Sequence, residues 1–247
     1  DFFGESVTTS MTRLLAPVDP SGDGNTDTVT LTAGHISDWS VGDRIAFAPT
    51  SFNRLEGEDA LITAINTETG VVTLDKNLTN YHYGDASDDT VAGVDMRCEV
   101  VHLTRNIVIK PVDDTWGSTV RTGDLVISGE SIYRYGTAYI DGVEFAEGGQ
   151  KDTQRAALRF IEASGSIAGS YVKNSAFHNG GAAAIWIEDS NMVDVNDNVG
   201  FSMYQFGMKV KGSTNFNIDS NTWLTVKSRD WITLSDKMVE EEAGMNI

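Results

Sequence analysis

Short apolar runs alternate with polar residues and with Asn, Asp or Gly corners along most of this chain. In its C-terminal half the alternation repeats: the segment from Asn174 to Phe177 returns from Asn198 to Phe201 and again from Asn221, at intervals of 24 and 23 residues. Repeats of this length built from short strands, without a helical period, are typical of β-solenoids. The pattern therefore predicts a right-handed parallel β-helix, in which each turn buries its inward side chains against the next.

The repeat also predicts two internal columns. The asparagines that open each repeat are expected to form a ladder, each amide bonding to the turns above and below. The aromatic residues that follow are expected to form a column of the core. These columns are Asn174, Asn198 and Asn221, and Phe177, Phe201 and Trp223.

The N-terminal half shows short β-branched runs without the repeat. Four such runs lie between residues 28 and 74, and Thr69 with Gly70 predicts a hairpin turn before the last of them. Helix signals are nearly absent. We therefore predict an all-β chain, with a β-rich segment over residues 1–95 followed by parallel β-helix repeats over residues 96–247.

Composition limits the classes of partner. With 36 acidic and 18 basic residues among 247, the formal net charge is −18, which argues against nucleic acid as a ligand. No apolar run approaches the roughly 20 residues that a membrane-spanning helix needs. Cys98 is the only cysteine, and we expect it to be a small buried apolar residue. The chain begins at Asp1 without a leader, so we expect it to be part of a longer protein or assembly.

Several segments resemble a known family. Residues 38–45 resemble the eight-glycine domain of fibrocystin, of fibrocystin-like proteins and of the secreted and transmembrane hyaluronidases, and residues 93–100 and 103–109 resemble a block of the same family in which Cys98 is usually Ala. The likeness covers roughly residues 12–110. It implies an extracellular or cell-surface setting, the ciliary surface included, and partners among extracellular proteins or glycans. It fixes no activity, since the family includes both glycan-degrading and non-catalytic members.

The chain departs from this family at one informative place. After the strand at residues 138–145, family members commonly carry an arginine followed by two histidines. Arg155 and Phe160 match that pattern, but the two histidine positions hold Arg159 and Ile161. Imidazole transfers protons near neutral pH, whereas guanidinium stays charged and isoleucine has no such chemistry. If the histidines serve catalysis in the hyaluronidases, this chain lacks them.

Three aspartates, together with Arg159, are candidate catalytic residues. Aligning Val195 with Ile218 places Asp194 and Asp219 on neighbouring turns, with Asp197 close by. Paired carboxylates across a bound sugar are the machinery of glycoside hydrolysis. The alternative is that the three are solvent-facing strand and turn residues, which is the usual role of outward polar positions.

Other side chains are candidates for ligand binding. Arg155 and Arg159 suit an anionic polymer, because guanidinium pairs well with carboxylates. Tyr133 and Tyr135 flank Arg134 and are the better exposed of the aromatic candidates for stacking on sugars. His178 lies at a predicted corner of the β-helix, where a solvated histidine is expected unless it faces a glycan.

A metal site is suggested at one loop only. Asp23, Asn25 and Asp27 follow the opening of a Ca²⁺-binding EF-hand loop, but Thr28 stands where that loop needs Gly, and Gly34 where it needs Glu. The EF-hand interpretation therefore fails, and a simpler surface Ca²⁺ site and a polar turn both remain open. No motif requires another cofactor.

These patterns favour a non-catalytic structural or interaction module of a larger fibrocystin-like protein at the cell surface. The alternative is a glycan-degrading hydrolase or lyase that resembles the hyaluronidases. The sequence Asn77-Leu-Thr79 is an N-glycosylation signal and fits a secreted glycoprotein.

Overall fold

A computed structural model describes the chain in segments. These are residues 1–22, 25–85, 94–112, 117–126, 132–150, 153, 155–164, 169–227 and 245–246. Two compact units are present: Val7–Thr104, here called the inserted unit, and Asp1–Ser6 together with Arg105–Ile247, here called the β-helix unit. The predicted boundary at residues 95 and 96 falls within the inserted unit, and the first six residues belong to the β-helix unit.

The described residues are almost entirely strands and loops. The first seven strands are β1 (Phe2–Phe3), β2 (Met11–Arg13), β3 (Thr28–Thr30), β4 (Arg44–Phe47), β5 (Glu58–Asn66), β6 (Val71–Leu74) and β7 (Glu99–His102). The next seven are β8 (Ile107–Ile109), β9 (Val120–Thr122), β10 (Leu125–Val126), β11 (Ile132–Arg134), β12 (Tyr139–Asp141), β13 (Val143–Ala146) and β14 (Leu158–Ile161). The last nine are β15 (Ser170–Lys173), β16 (Ala176–His178), β17 (Ile185–Glu188), β18 (Val193–Asn196), β19 (Val199–Phe201), β20 (Met208–Lys211), β21 (Asn217–Asp219), β22 (Thr222–Leu224) and β23 (Met245–Asn246). Two 3₁₀ helices span Ala33–His35 and Arg54–Glu56.

The inserted unit is built on one antiparallel sheet of six strands in the described residues, in the order β2-β7-β4-β5-β6-β3. The predicted hairpin joins β5 to β6, and Gly70 occupies it with φ +78°, where a Cβ would collide with the carbonyl oxygen of Leu31. Strand β7 pairs with both β2 and β4, so the unit cannot end at residue 95. Phe47 and Ile62 are among its fully buried side chains, and Cys98 is buried as expected.

The β-helix unit makes five turns in the described residues, and each turn contributes one strand to each of three parallel sheets. Sheet 1 contains β1, β12, β15, β18 and β21; sheet 2 contains β8, β13, β16, β19 and β22; sheet 3 contains β9, β14, β17, β20 and β23. The chain visits the three sheets in this order in every turn, which confirms a parallel β-helix. In the sequence, the inserted unit lies between β1 and β8.

Inward side chains stack from turn to turn. Val172 pairs with Val195 and Val195 with Ile218, so the predicted alignment of these two strands is confirmed. Val172 and Val195 are fully buried. In sheet 2 the rings of Phe145 and Phe177 stack with centroids 4.7 Å apart. Each turn therefore buries its apolar residues against the turns beside it.

The predicted asparagine ladder is displaced by one residue in its first turn. Ser175, Asn198 and Asn221 share the ladder position: Asn198 Oδ1 accepts from Ser175 N at 3.0 Å, and Asn198 Nδ2 donates to Asn221 Oδ1 at 2.9 Å. Asn174 lies one residue earlier, in a left-handed corner with φ +51°, as Asp197 does with φ +56°. The turns here repeat every 23 residues in register, so aligning asparagine with asparagine at 24 was wrong.

The predicted aromatic column is displaced in its middle turn. Phe177 pairs with Gly200 and Gly200 with Trp223, whereas Phe201 pairs with His178. A Cβ on Gly200 would lie 2.4 Å from the Trp223 ring. The missing side chain lets Trp223 reach over Gly200 to Phe177, where the centroids are 6.0 Å apart.

None of the helical segments in the described residues has the length and apolar character that crossing a bilayer requires.

Candidate functional site

The outward side of sheet 3 carries the most distinctive group of polar side chains. On β14, Leu158 and Phe160 are fully buried and point inward. Because successive strand residues face opposite sides, Arg159 and Ile161 point outward. The two positions at which the family resemblance expects histidines therefore lie on this outward face.

Outward side chains of neighbouring strands form a row across sheet 3. Arg121 on β9 pairs with Arg159 on β14, which pairs with Trp186 on β17, which pairs with Lys209 on β20. Adjacent strands are about 4.8 Å apart, so the row runs along the axis of the β-helix with one residue per turn. Arg121, Arg159 and Lys209 are here called the basic row.

The arginines of this face have no carboxylate ion-pair partner among the described residues. The pKa of Arg159 is lowered by burial first, then by the nearby cation of Arg121 and also by Arg155, while Glu188 opposes the shift. None of the three arginines forms an ion pair with a carboxylate of another described residue, and Arg159 Nε is buried without a hydrogen-bond partner among them. The structure thus brings the two predicted arginines together and adds Arg121, which the sequence did not single out.

An apolar patch lies beside the basic row and contacts Lys209. Trp186 and Phe206 are buried with Ala156 and Ala183, although Trp186 is on the outward side of its strand. Lys209 Nζ lies 4.7 Å from the Trp186 ring centroid and 5.0 Å from that of Phe206. These cation–π contacts hold the ammonium in place over the patch.

A charge pair borders the row. Lys211 Nζ donates to Glu188 Oε1 at 2.9 Å. This hydrogen bond is the main cause that lowers the pKa of Glu188, with burial opposing it and the charge of Arg159 adding to it. The same contact raises the pKa of Lys211. Glu188 is thus engaged first with Lys211, which leaves the three arginines without a full counter-charge.

The candidate catalytic aspartates lie elsewhere, on and beside sheet 1. Asp194 pairs with Asn217 across β18 and β21, and Asn196 pairs with Asp219, so Asp194 and Asp219 lie on neighbouring turns as predicted. Asp194, Asp197 and Asp219 are all exposed. Asp194 Oδ1 accepts from the backbone amide of Asn217 at 3.1 Å.

Among the described residues, every carboxyl group with a displaced pKa has a pKa below its usual value. Hydrogen bonds lower the pKa of Asp19, Glu58, Asp95 and Glu188 and outweigh burial, which alone would raise it. A general acid at a glycosidic bond needs the opposite displacement. The resolved displacements therefore do not single out a proton donor.

The expectation of a solvated histidine at position 178 is wrong. His178 is 5% exposed on β16, and its Nε2 lies 2.9 Å from Glu144 Oε1. Asn179 Nδ2 lies 3.4 Å from His178 Nδ1, so an amide donor faces one ring nitrogen and a carboxylate the other. The strand position, with its side chain held by Glu144, removes His178 from the surface. Its predicted binding role has no support from this placement.

The remaining predicted residues do not join the basic row. Tyr135 is 57% exposed after β11, while the side chain of Tyr133 lies outside the described part. Asp23 is also outside the described residues; Asn25 is exposed, and Asp27 Oδ1 accepts from the Thr28 hydroxyl at 2.9 Å. In the described part no three acidic, His or Cys side chains form a metal-binding group. The Ca²⁺ site stays a prediction.

Comparison with known proteins links the chain to one group of relatives. Human fibrocystin-L is 27% identical over 195 residues, which cover 72% of this chain and 4% of fibrocystin-L, and the mouse protein is 26% identical over 194 residues with the same coverages. A protein of Dictyostelium discoideum is 23% identical over 219 residues, covering 81% of this chain and 19% of that protein. The chain thus spans a small part of these relatives. No family model matches it.

Among solved structures, two phage tailspikes align with most of the chain. The gp61 tailspike of Pseudomonas phage phi297 has 11% identity and a TM-score of 0.27, over 88% of this chain and 31% of the tailspike. The gp54 tailspike of Acinetobacter baumannii phage AP22, solved with a capsular saccharide, has 11% identity and a TM-score of 0.27, over 88% and 34%.

Proposed function

We propose that this chain is a non-catalytic interaction module of a larger, fibrocystin-like protein at the cell surface, and that it binds an acidic polysaccharide along the basic row. One observation carries the proposal: Arg121, Arg155 and Arg159 gather on one face without a carboxylate partner among the described residues, in a chain of net charge −18. The similarity to fibrocystin-L over 72% of the chain supports the cell-surface setting.

Charge repulsion among the arginines favours an anionic ligand. Each guanidinium disfavours the charged form of the guanidinium beside it. A carboxylate or sulfate bound between them relieves that repulsion. Arginine suits this role because its planar fork makes two parallel hydrogen bonds to such a group. The acidic remainder of the chain repels the same ligand, so binding is confined to this face.

The shape of the row favours a polymer over a small anion. Arg121, Arg159 and Lys209 stand on three strands of a regular stack, and the side chains repeat along the axis of the β-helix. A linear chain of acidic sugars can contact successive turns, and each added contact increases the affinity without a further loss of translational freedom.

Glycan degradation is the second candidate function. It is favoured by the positions of Asp194 and Asp219, which lie on adjacent strands of sheet 1 and are separated by two residues in register. Carboxyl groups about 5–9.5 Å apart serve hydrolysis of glycosidic bonds. These aspartates lie on sheet 1, however, while the basic row lies on sheet 3.

Binding of size-defined hyaluronan and of heparan sulfate tests the proposal. Titration by calorimetry at low salt should give a dissociation constant for at least one of them, and Arg159→Ala should weaken binding about tenfold or more, because a charge-assisted hydrogen bond contributes about 1.5–3 kcal/mol. Lys110→Ala removes an exposed cation from β-helix residues outside the row and serves as the matched control. Equal affinity of wild type and Arg159→Ala for both polymers would contradict the proposal.

Chain length of the polymer, measured in the same samples, separates binding from cleavage. We expect hyaluronan to remain intact. Shortening that requires the protein and is lost in Asp194→Asn or Asp219→Asn would instead establish the second candidate.

A further inference from the structure

The outward side of sheet 1 carries a second ordered surface. Its residues are mainly aromatic, amide and acidic, unlike those of the basic row. Its inward neighbours Ile140, Val172 and Val195 are fully buried, so the residues on either side of each face outward. Two outward rows result. One contains Tyr139, Tyr171, Asp194 and Asn217, and the other contains Asp141, Lys173, Asn196 and Asp219. Together these residues are here called the tyrosine face.

Aromatic rings form one half of this face. Tyr139 and Tyr171 lie on adjacent strands with ring centroids 5.2 Å apart and planes 42° from parallel, and both are only partly buried. Lys173 Nζ lies 4.8 Å from the Tyr171 centroid and 3.3 Å from Asp141 Oδ2. The rings are therefore fixed by their neighbours and still open to solvent, which is the state of an aromatic residue that can receive a ligand.

Amide and carboxylate groups form the other half. Asn217 Nδ2 donates to Asn196 Oδ1 at 3.2 Å, and the backbone amide of Asn217 donates to Asp194. These bonds orient the side chains of β18 and β21 across the surface. Asp194 and Asp219 form no ion pair with another described residue, and Asp194 uses Oδ1 for the Asn217 amide, so Asp194 Oδ2 and the Asp219 carboxylate can accept hydrogen bonds from a ligand.

The chemistry of the face selects among ligands. Its formal charge is negative, since Asp141, Asp194 and Asp219 outnumber Lys173, and a polyanion would be repelled. A sugar ring offers both things this face can bind: an apolar C–H side for the tyrosines and hydroxyl donors for the carboxylates. One outward residue per turn, repeated about every 4.8 Å, suits a ligand that itself repeats.

We infer that the tyrosine face binds an uncharged polysaccharide lying along the β-helix, with sugar rings on Tyr139 and Tyr171 and hydroxyl groups donating to Asp194. In this arrangement the aspartates that resemble catalytic acids orient the sugar instead. The inference rests on sheet 1 alone and does not depend on the anionic ligand proposed for sheet 3.

Titration with soluble uncharged oligosaccharides of glucose, mannose, galactose and N-acetylglucosamine, followed by calorimetry, tests this assignment. We expect at least one series to bind, and Tyr171→Ala to weaken it about tenfold, as for an aromatic residue at the centre of a binding surface. Tyr204→Ala, which removes a tyrosine with 37% exposure outside the face, is the matched control and should bind as wild type does.

A second variant guards against loss of folding. Asp194→Ala changes an exposed side chain, should leave the protein folded with a cooperative unfolding transition, and should also weaken binding. Failure of all four series to bind, or equal binding by wild type, Tyr171→Ala and Asp194→Ala, would overturn the inference. Arg159→Ala separates the two surfaces: it should keep the uncharged ligand while losing hyaluronan or heparan sulfate.

Discussion

Arg159 stands directly beside Arg121 on the neighbouring strand of sheet 3, and no carboxylate of the described residues forms an ion pair with either side chain. Like charges opposite one another in a sheet are unfavourable by about 0.2–1 kcal/mol. The pair therefore lowers the stability of the ligand-free protein. In our proposal a bound anion removes this repulsion and raises the stability of the complex.

Replacement of Arg121 should therefore stabilise the protein. We expect Arg121→Gln to raise the free energy of unfolding by about 0.2–1 kcal/mol at low salt, because it removes the repulsion on Arg159. The gain should shrink at 1 M salt, where the screening length falls to about 3 Å. Urea unfolding at the two salt concentrations measures both effects.

Lys209→Gln is the matched control from the same row, with the opposite expected sign. Its ammonium contacts the rings of Trp186 and Phe206, and loss of these contacts should lower stability by about 0.5–1 kcal/mol. A destabilising Arg121→Gln would show that the first arginine is neutralised after all.

The ladder at Asn198 predicts a large effect from a small change. Its buried amide accepts from Ser175 N and donates to Val172 O at 3.0 Å and to Asn221 Oδ1. Asn198→Ala leaves these groups unsatisfied, and each such buried group costs about 1–3 kcal/mol. We expect a loss of at least about 2 kcal/mol in urea unfolding, against less than about 0.5 kcal/mol for the exposed Asn217→Ala.

Acid should weaken the inserted unit through Glu58. Burial alone would raise the pKa of this carboxyl, but hydrogen bonds from Thr79, Asn80 and His82 outweigh it and lower the pKa. Since the folded pKa lies below the unfolded value near 4.3, the carboxylate stabilises the fold above that pH, and the contribution is lost as pH falls through the folded pKa.

The glutamine variant isolates this contribution. At pH 7 we expect Glu58→Gln to be less stable by about 1–3 kcal/mol, since it loses charge-assisted hydrogen bonds at Thr79 N and Thr79 Oγ1. The difference from wild type should narrow as the pH is lowered below about 4.3. Urea midpoints from pH 7 to 3 would reveal it, and a pH-independent difference would contradict the assignment.

Cys98 should be chemically silent in the folded protein. Burial raises the pKa of its thiol, and the nearby Glu99 carboxylate adds to the effect. Because the thiolate is the reactive form, a disulfide reagent at pH 8 should label Cys98 only once urea unfolds the chain. Val41→Cys places a thiol at a position where the native side chain is 62% exposed, and this second thiol should react at once. Immediate labelling of wild type would contradict the burial of Cys98.

The signal at Asn77 predicts one N-linked glycan. Asn77 is exposed in the segment after β6, so a glycan can be carried there without disturbing the core. Expressed through a secretory pathway, the chain should lose mass on treatment with a glycan-removing amidase, and Asn77→Gln should abolish the loss. Asn80→Gln, outside the signal, should leave it unchanged.

The sequence was sufficient to predict the β-helix but not its register. Apolar alternation and corner residues repeat visibly, since every turn needs them in the same places. The register was predicted wrongly in the first turn because Asn174 and Asn198 are both asparagines but occupy different positions. Asn174 lies in a left-handed corner, whereas Ser175 takes the ladder position that pairs with Asn198. Two residue types able to fill either place make the repeat ambiguous by one residue.

The candidate site was half visible in the sequence. Arg155 and Arg159 were named, but Arg121 belongs to an earlier turn, and nothing near it in the sequence shows that β9 pairs with β14. His178 was misjudged for a related reason: its carboxylate partner, Glu144, comes from the preceding turn. Contacts of this kind arise only when turns that differ in length, with paired residues 23 to 38 apart, are set in register.

The place of the inserted unit has a consequence for the order in which the chain folds during synthesis. Phe2 of β1 pairs with Ile140, so this strand leaves the ribosome long before its partner exists. Residues Val7–Thr104, which form a compact unit of their own, are complete well before then. Strand β1 cannot pair until β12 has been synthesised, because the whole inserted unit lies between them in the sequence. Closing the first turn of the β-helix is therefore a late, long-range step, and such steps are slow in folding.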